Sequence, residues 1–417
     1  MSTPSATYKN EAPRRQVWRR FREKPINRWS LRILYLLVFI ALTADFFANE
    51  KPLYCQIEGE TYWPVLRSYA VDLGLQPPRG DFERMNWLTR EYEAVVRAPI
   101  PYSPTTIDRR NMRAIGPFER QNTPSRYFQH WLGTDELGKD VAAGLIHGTR
   151  TALLVGLVAM TVASLIGIFL GAVAGYFGDD RLQWPRRRFW LFGLGLIPWI
   201  FFGWIAPAPW FFGESLIGRV LWIIATLVLL LWVCRLFVPE RANHRQTAWP
   251  LDFGVMRLIE VMNSIPALML LLAIVATIEQ SSLLLVMAII GVIGWTSIAR
   301  FVRAELLRIR EQNYIEAARA LGISEGRILL RHALPNGLRP VLITIAFGIS
   351  GAILLEAFLS FLSIGLPADA VTWGTLLNKI KTDTDAWWLA LFPGFAIFIT
   401  VTIFNLIGEG LSEAMKV

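Results

Sequence analysis

Cysteine and histidine are scarce in this chain of 417 residues: there are two Cys, Cys55 and Cys234, and four His. Cys234 sits inside an apolar run and Cys55 does not, so the two do not read as a bridged pair. No Cys or His cluster has the spacing of a zinc site. No Ser/His/Asp or Cys/His arrangement suggests an activated nucleophile. Charge is scarce too, at 18% of residues, where a soluble domain carries about a quarter. These shortages argue against a disulfide scaffold, a metal enzyme and an ordinary soluble domain.

What is abundant is apolar surface. Hydrophobic residues make up 53% of the chain, with 17 Trp and 25 Phe. Runs of about 20 such residues can cross a bilayer as helices. They occur at Leu31–Ala48, Thr151–Phe177, Met256–Ile278, Ser281–Ala299, Arg339–Ile364 and Trp387–Leu411. Phe189–Ala206 and Leu216–Val238 lie between them. The first of these two is short and meets Pro207 and Pro209, so a re-entrant segment is its alternative. The count is about eight crossings, or six plus an inserted hairpin at 181–250. About 30 mostly polar residues precede the first run and no small-residue cleavage site follows it, so the run reads as an anchor and not a signal peptide.

The net charge of +9 fits either a nucleic-acid binder or a membrane protein with basic cytoplasmic loops. Its distribution decides. Residues 1–30 carry eight Lys and Arg against Glu11 and Glu23, which places the N-terminus in the cytoplasm. Alternation then puts Arg181, Arg186–Arg188, Arg235, Arg241 and Arg245 on the same side. Arg300–Arg339 joins them, with eight Arg against four Glu. Residues 49–150 face outward with balanced charge. No nucleic acid is implied; the basic residues answer to the lipid bilayer.

The stretch "GTDELGKD", Gly133–Asp140, approaches a phosphate-binding loop and falls short of one. Such a loop follows a strand and has Ser or Thr after its Lys to hold magnesium. Here Asp140 takes that place, Asp135 and Glu136 add negative charge, and "YFQHWL" precedes the glycine. ATP binding by this stretch is not expected.

A second stretch, "YIEAARALGISEGRILLRHALPN", runs from Tyr314 to Asn336 on the basic side. The alanines favour a helix over Tyr314–Leu321. Gly322 reads as its stop, Ser324 as the cap of a second helix over Glu325–Ala333, and Pro335 as its end. Small residues leave room for a partner backbone, with Glu316 and Arg319 beside them. An amphipathic pair resting on anionic lipid fits the same residues.

"EAARALG" followed by "HALPN" resembles the EAA loop of ABC importer membrane subunits. That likeness implies that Tyr314, Glu316, Ala317, Ala318, Arg319, Gly322, Leu334 and Pro335 belong to a coupling helix that docks on an ATPase. "HWLGTDELGKDVAAGLIHGTRTALLVG", "LEAFLSFLSIGL", "WGTLL" and "PGFAIFITVTIFNLIGEGL" are similar to the dipeptide/oligopeptide class of these permeases, with Lys139 where that class has Arg. "ANEKPLYCQIEGETYWPVL" resembles the Yej-type branch, linked to oligopeptide and microcin C uptake. Residues 181–250 depart from the family pattern.

Three further features stand outside the motifs. Gly167, Gly171 and Gly175 repeat every fourth residue, a spacing for close helix packing. Glu356 lies inside an apolar run, where a charge is costly. It reads equally as part of a translocation path or as a packing hydrogen bond. Asn263 and Ser264 precede Pro266, which should kink its helix; broken helices often line paths in transporters, so these two polar residues are candidates for a translocation path, and a purely structural kink is the alternative. Asp252, Arg257 and Glu260 lie at the start of the same helix and read as solvated interface charges.

The resemblance therefore implies an all-α polytopic fold of the type I importer class, with six core spans, an inserted hairpin and both termini cytoplasmic. The segments are a basic tail (1–30), a first span (31–48), an outward, periplasmic loop (49–150), a permease domain (151–412) and the coupling loop (305–337). The implied location is the bacterial inner membrane. The implied role is import of peptides or peptide-like compounds by alternating access, without catalysis in this chain. Implied partners are a second homologous permease, two ATPase domains carrying ATP and Mg, and an extracytoplasmic substrate-binding protein, which the outward loop is expected to help receive. Nickel or antimicrobial peptides are alternative cargoes, and a secondary transporter is the alternative class.

Overall fold

A computed structural model of the chain describes residues 13–77, 85, 87–88, 90–181, 183–185, 191–192, 194–195, 199, 216–237, 246–277, 282–365, 367 and 369–415. Apart from a single helical turn at Ala44–Phe47, the helices in chain order are α1 (Pro13–Glu23), α2 (Pro25–Leu42), α3 (Pro64–Asp72), α4 (Val141–Ala172), α5 (Leu216–Phe237), α6 (Leu251–Ser264), α7 (Ala267–Ala276), α8 (Leu283–Ile309), α9 (Asn313–Ala320), α10 (Glu325–Ile328), α11 (Leu334–Gly337), α12 (Val341–Phe361), α13 (Trp373–Asn378) and α14 (Trp388–Met415). A π-turn, Val173–Phe177, extends α4. Among the described residues, α2, α4 with its π-turn, α8, α12 and α14 are long and apolar enough to span a membrane. The pair α6–α7, bent by 81°, makes a sixth if it counts as one span. The expected crossing at Phe189–Ala206 lies almost wholly outside the described residues.

Several boundaries differ from the sequence expectation, each for a local reason. The first span begins six residues early because Pro25 sits at its first turn, where a missing N–H costs nothing, and it stops at Leu42. The second begins at Val141 rather than Thr151. The Asp140 carboxylate accepts the Ala143 N–H at 2.7 Å and so caps the helix. His147 and Arg150 interrupt the apolar count there without interrupting the helix. Likewise α8 runs ten residues past Ala299, carrying Arg300, Arg303 and Arg308. The Met256–Ile278 run is broken at Ile265–Pro266. Proline has no N–H and its ring crowds the carbonyl four residues back, so the helix restarts at Ala267.

The described residues fall into two compact units. The first comprises Met1–Ile168, Met262–Phe301 and Asn336–Val417. In it α12 packs along α14, with Ile353 and Ala357 meeting Ile397, Phe404, Trp373 and Ala152 of α4. A second cluster joins Val155 and Ala159 to Leu271, Val286, Ile290 and Leu359. Phe21 of α1 is buried against Ile403 and Ile407 of α14. Between α2 and α4 lies a folded segment, not a bare connection. Strands β1 (Tyr54–Ile57), β2 (Glu60–Tyr62) and β3 (Ala94–Val96) form an antiparallel sheet in the order β2-β1-β3. Its hairpin turns at Glu58 and Gly59, both with positive φ, the geometry that two-residue hairpins demand.

The "GTDELGKD" loop belongs to this segment. Its amides turn inward onto its own carboxylate: Asp135 Oδ1 accepts from Leu137 N at 3.0 Å and Lys139 N at 2.8 Å. Lys379 binds the other oxygen. Buried His130 bonds Asp140 through Nδ1 at 2.8 Å and Asp108 through Nε2 at 3.3 Å. The motif's glycines and acids build a turn and a helix cap.

The second unit comprises Phe169–Val261 and Val302–Pro335. Arg303 grips Asp252 with two donors, and Phe253 N donates to Asp179 at 3.0 Å. Asp252 is thus an ion-pair partner rather than a solvated charge, whereas Arg257 and Glu260 pair at 2.7 Å on the exposed face. Strands β4 (Gln183–Pro185) and β5 (Gln246–Ala248) pair antiparallel and bring the two ends of the inserted segment together.

Candidate functional site: the Tyr314–Asn336 loop and the α7–α8 cavity

The loop after α8 folds from its own residues. In α9, Ile315 and Ala318 are three apart and both buried, while Tyr314, Glu316, Ala317 and Ala320 face out. The helix closes in a Schellman motif. Gly322 N donates to Arg319 O at 2.8 Å and Ile323 N to Ala318 O at 3.2 Å. Gly322 holds the left-handed φ of 74° that this motif requires. A Cβ placed there would meet nothing within 4 Å. The glycine is needed for its backbone, not for space. Leu321 beside it is 80% exposed and Leu330 68%, so the loop displays apolar side chains next to small ones.

Two expectations are corrected here. Ser324 stands at the N-terminus of α10, but its side chain makes no cap bond; only its carbonyl takes part, accepting Arg327 N and Ile328 N. Pro335 does not end the second helix. The chain widens into a π-turn at Leu329–Ala333 and continues through Leu334–Gly337. A widened turn carries the upstream carbonyls away from the proline ring, which relieves the clash that would otherwise stop the helix.

Residues that sequence reading passed over hold this loop. Fully buried Tyr176, in the π-turn after α4, donates its hydroxyl to Glu325. Arg319 Nε donates to the other carboxylate oxygen at 2.8 Å. Burial alone would raise the Glu325 pKa, but the Tyr176 hydroxyl and the Arg319 charge outweigh it and hold the carboxyl below its ordinary value. The one sequence signal was a lone tyrosine among small residues at the end of an apolar run.

Gly167 faces Trp295 O and Ile298, where an added Cβ would stand 2.8 Å away from each. Gly175 approaches the Arg303 backbone to 2.5 Å in the same sense. Gly171 is buried. The break at Pro266 opens a cavity of about 560 Å³ lined by Asn263, Met160, Met262, Phe347 and Thr344 among others. Asn263 accepts the Thr296 hydroxyl at 3.2 Å. Ser264 is exposed and does not line it. Glu356 is 1% exposed and lies elsewhere, bonded to Ser360 and to Thr372, the residue that caps α13.

Five to six apolar spans among the described residues, with a glycine-closed helical loop between α8 and α12, define a helical polytopic membrane protein of the permease kind. Residues 242–417 match the family described as binding-protein-dependent transport system inner membrane component, and residues 12–78 match the N-terminal TM domain of oligopeptide transport permease C. The inner membrane ABC transporter permease protein YejE of Escherichia coli K12 is 30% identical over 402 residues, 95% of each chain. The peptidoglycan transport system permease protein YejE of Agrobacterium fabrum is 27% identical over 418 residues, 95% of this chain and 91% of its own. The dipeptide transport system permease protein DppC of Alkalihalophilus pseudofirmus is 30% identical over 302 residues, 72% and 75% of the two chains. The chain belongs to the binding-protein-dependent ABC transporter permeases and is a multi-pass protein of the bacterial inner membrane.

Proposed function

We propose that this chain is a transmembrane subunit of an ATP-driven importer that carries peptides or peptide-like compounds into the cytoplasm. The relatives' names, with peptide and peptidoglycan transport among them, support that cargo class. The basic segments 1–30 and 300–339 face the cytoplasm, and 49–150 faces outward. A second, homologous permease pairs with this one. A binding protein delivers cargo from outside, and the folded outward segment, with Trp63 and Leu66 exposed on and beside α3, helps receive it. ATP and Mg reside on two partner ATPase domains. Their closure moves the coupling loop, and access alternates between the two sides.

The observation that carries the reading is the loop itself: α9 ends in Gly322 with Leu321, Ala317 and Glu316 exposed, a docking face with no role in the described fold. Tyr314, Ala318, Arg319, Leu334 and Pro335 shape that face. Gly167, Gly171 and Gly175 pack helices. Asn263 lines the path of the cargo. Enclosure of Glu356 between Ser360 and Thr372 favours packing over transport for that residue.

Gly322→Asp tests the docking. Aspartate tolerates the left-handed backbone better than most residues and meets no neighbour, so the chain should insert normally. A carboxylate now sits on the docking face. The expected result is loss of uptake and of the ATPases that co-purify with the wild type. Normal uptake by a stably inserted Gly322→Asp protein would falsify the assignment.

A further inference from the structure

The second unit holds two π-turns, Val173–Phe177 after α4 and Leu329–Ala333 within the loop. Such widened turns interrupt the helical hydrogen-bond ladder and recur at functional sites. One polar knot joins the segments that carry them. Tyr176 donates to Glu325, 149 residues further along the chain, and Arg319 holds the second oxygen at 2.8 Å. Arg181 lies 5.7 Å from the Tyr176 ring centroid, with Nη2 3.8 Å from Glu311. The buried side chains of α9, α10 and the π-turn beside this knot are apolar: Ile315, Ala318, Ile328, Leu329 and Ala333. Apolar contacts tolerate sliding. A carboxylate held between a phenol and a guanidinium has one seat, because both bonds are directional and charge-assisted.

We propose that Tyr176 and Glu325 are positioning residues that latch the coupling loop to the end of α4 and set how tightly ATP hydrolysis on the partner is tied to cargo movement. The proposal rests on the coupling-loop reading above. Motion imposed on α9 and α10 reaches α4 through this bond without slack. When the bond is absent, the loop still docks and the ATPases still turn over, but the displacement dissipates in sliding.

The test uses the complete transporter in proteoliposomes: both permeases, the ATPases and the binding protein. Hydrolysis and uptake of a radiolabelled tripeptide imported by the wild-type complex are measured in the same vesicles. Tyr176→Phe removes only the hydroxyl and keeps the ring; Glu325→Gln removes the charge. Both complexes should retain their ATPases and hydrolyse ATP at near wild-type rates. They should import about tenfold less peptide per ATP, the scale on which single residues alter coupling between sites. Unchanged uptake per ATP in Tyr176→Phe overturns the latch. A parallel fall of hydrolysis and uptake overturns it too, as does loss of the ATPases from that variant, since the knot would then only support docking. The Gly322→Asp result stands in each case, so failure of the latch is separable from failure of the coupling loop.

Discussion

Asp45 lies three residues beyond the end of α2. It accepts the Tyr69 hydroxyl at 2.6 Å and Arg150 Nη2 at 2.7 Å, while His147 stands 4.0 Å away. Burial by itself would raise its pKa; the Tyr69 and Arg150 bonds outweigh that and hold it below its usual value. A depressed carboxyl stabilises the fold above its unfolded pKa of about 3.9, and that contribution disappears as pH falls through the lower folded value. Asp45→Asn should therefore destabilise the detergent-solubilised protein at pH 7 by about 1 kcal/mol, the scale of a charged hydrogen bond at a partly exposed site. The gap to wild type should narrow as pH falls below the unfolded value and close only once pH has passed below the lower folded value, where the Asp45 carboxyl is neutral as well. Thermal unfolding across pH checks this, and an undiminished gap in acid would mean the loss is one of packing. At this scale some local causes were readable and others, such as the Ser324 cap that its side chain does not make, were not. Gly322 could be read as a helix stop because a Schellman turn involves neighbours only. Asp45 with Arg150, and Tyr176 with Glu325, could not, since their partners lie 105 and 149 residues apart.

Helices behave likewise. The existence of the long apolar spans followed from apolar runs, and their ends did not, because capping by Asp140 and continuation through Arg300–Arg308 depend on polar residues that a hydropathy count penalises. The break at Pro266 was legible, since a missing N–H is written in the residue itself. The cavity beside it was not. It needs Met160 and Phe347, contributed by α4 and α12, to stand opposite Asn263. The bend and the cavity should stand or fall together. Pro266→Ala restores a donor and removes a residue that costs about 3 kcal/mol in a helix interior. The expected outcome is a straighter α6–α7 span, a solubilised protein at least as stable as wild type, and peptide uptake reduced about tenfold as Asn263 leaves the cavity. Uptake at the wild-type level in Pro266→Ala would leave the bend with a structural role alone.

For the whole molecule, the open matter is the insertion. Family likeness at the level of motifs skips residues 181–250, yet relatives of nearly equal length align over 95% of the chain. The segment begins and ends in the β4–β5 ladder, where Pro185 pairs with Gln246. The chain therefore returns to where it left, and a pair of crossings inserted there changes neither the direction of α6 nor the side on which basic residues fall. Within the insertion, Trp199 Nε1 donates to Thr226 at 3.1 Å and Gly195 packs on Leu230, so it supplies contacts of its own. Replacing residues 186–245 by Asn-Gly, which suits a two-residue hairpin turn, should leave a chain that inserts, retains its ATPases and imports peptide at near wild-type rates. Uptake and co-purification measured together decide it. Retention of both makes the insertion a peripheral hairpin facing lipid. Loss of the second permease from the complex, with the shortened chain still in the membrane, would instead make it a surface for pairing. Pairing would then be what the segment between β4 and β5 contributes to the assembled transporter.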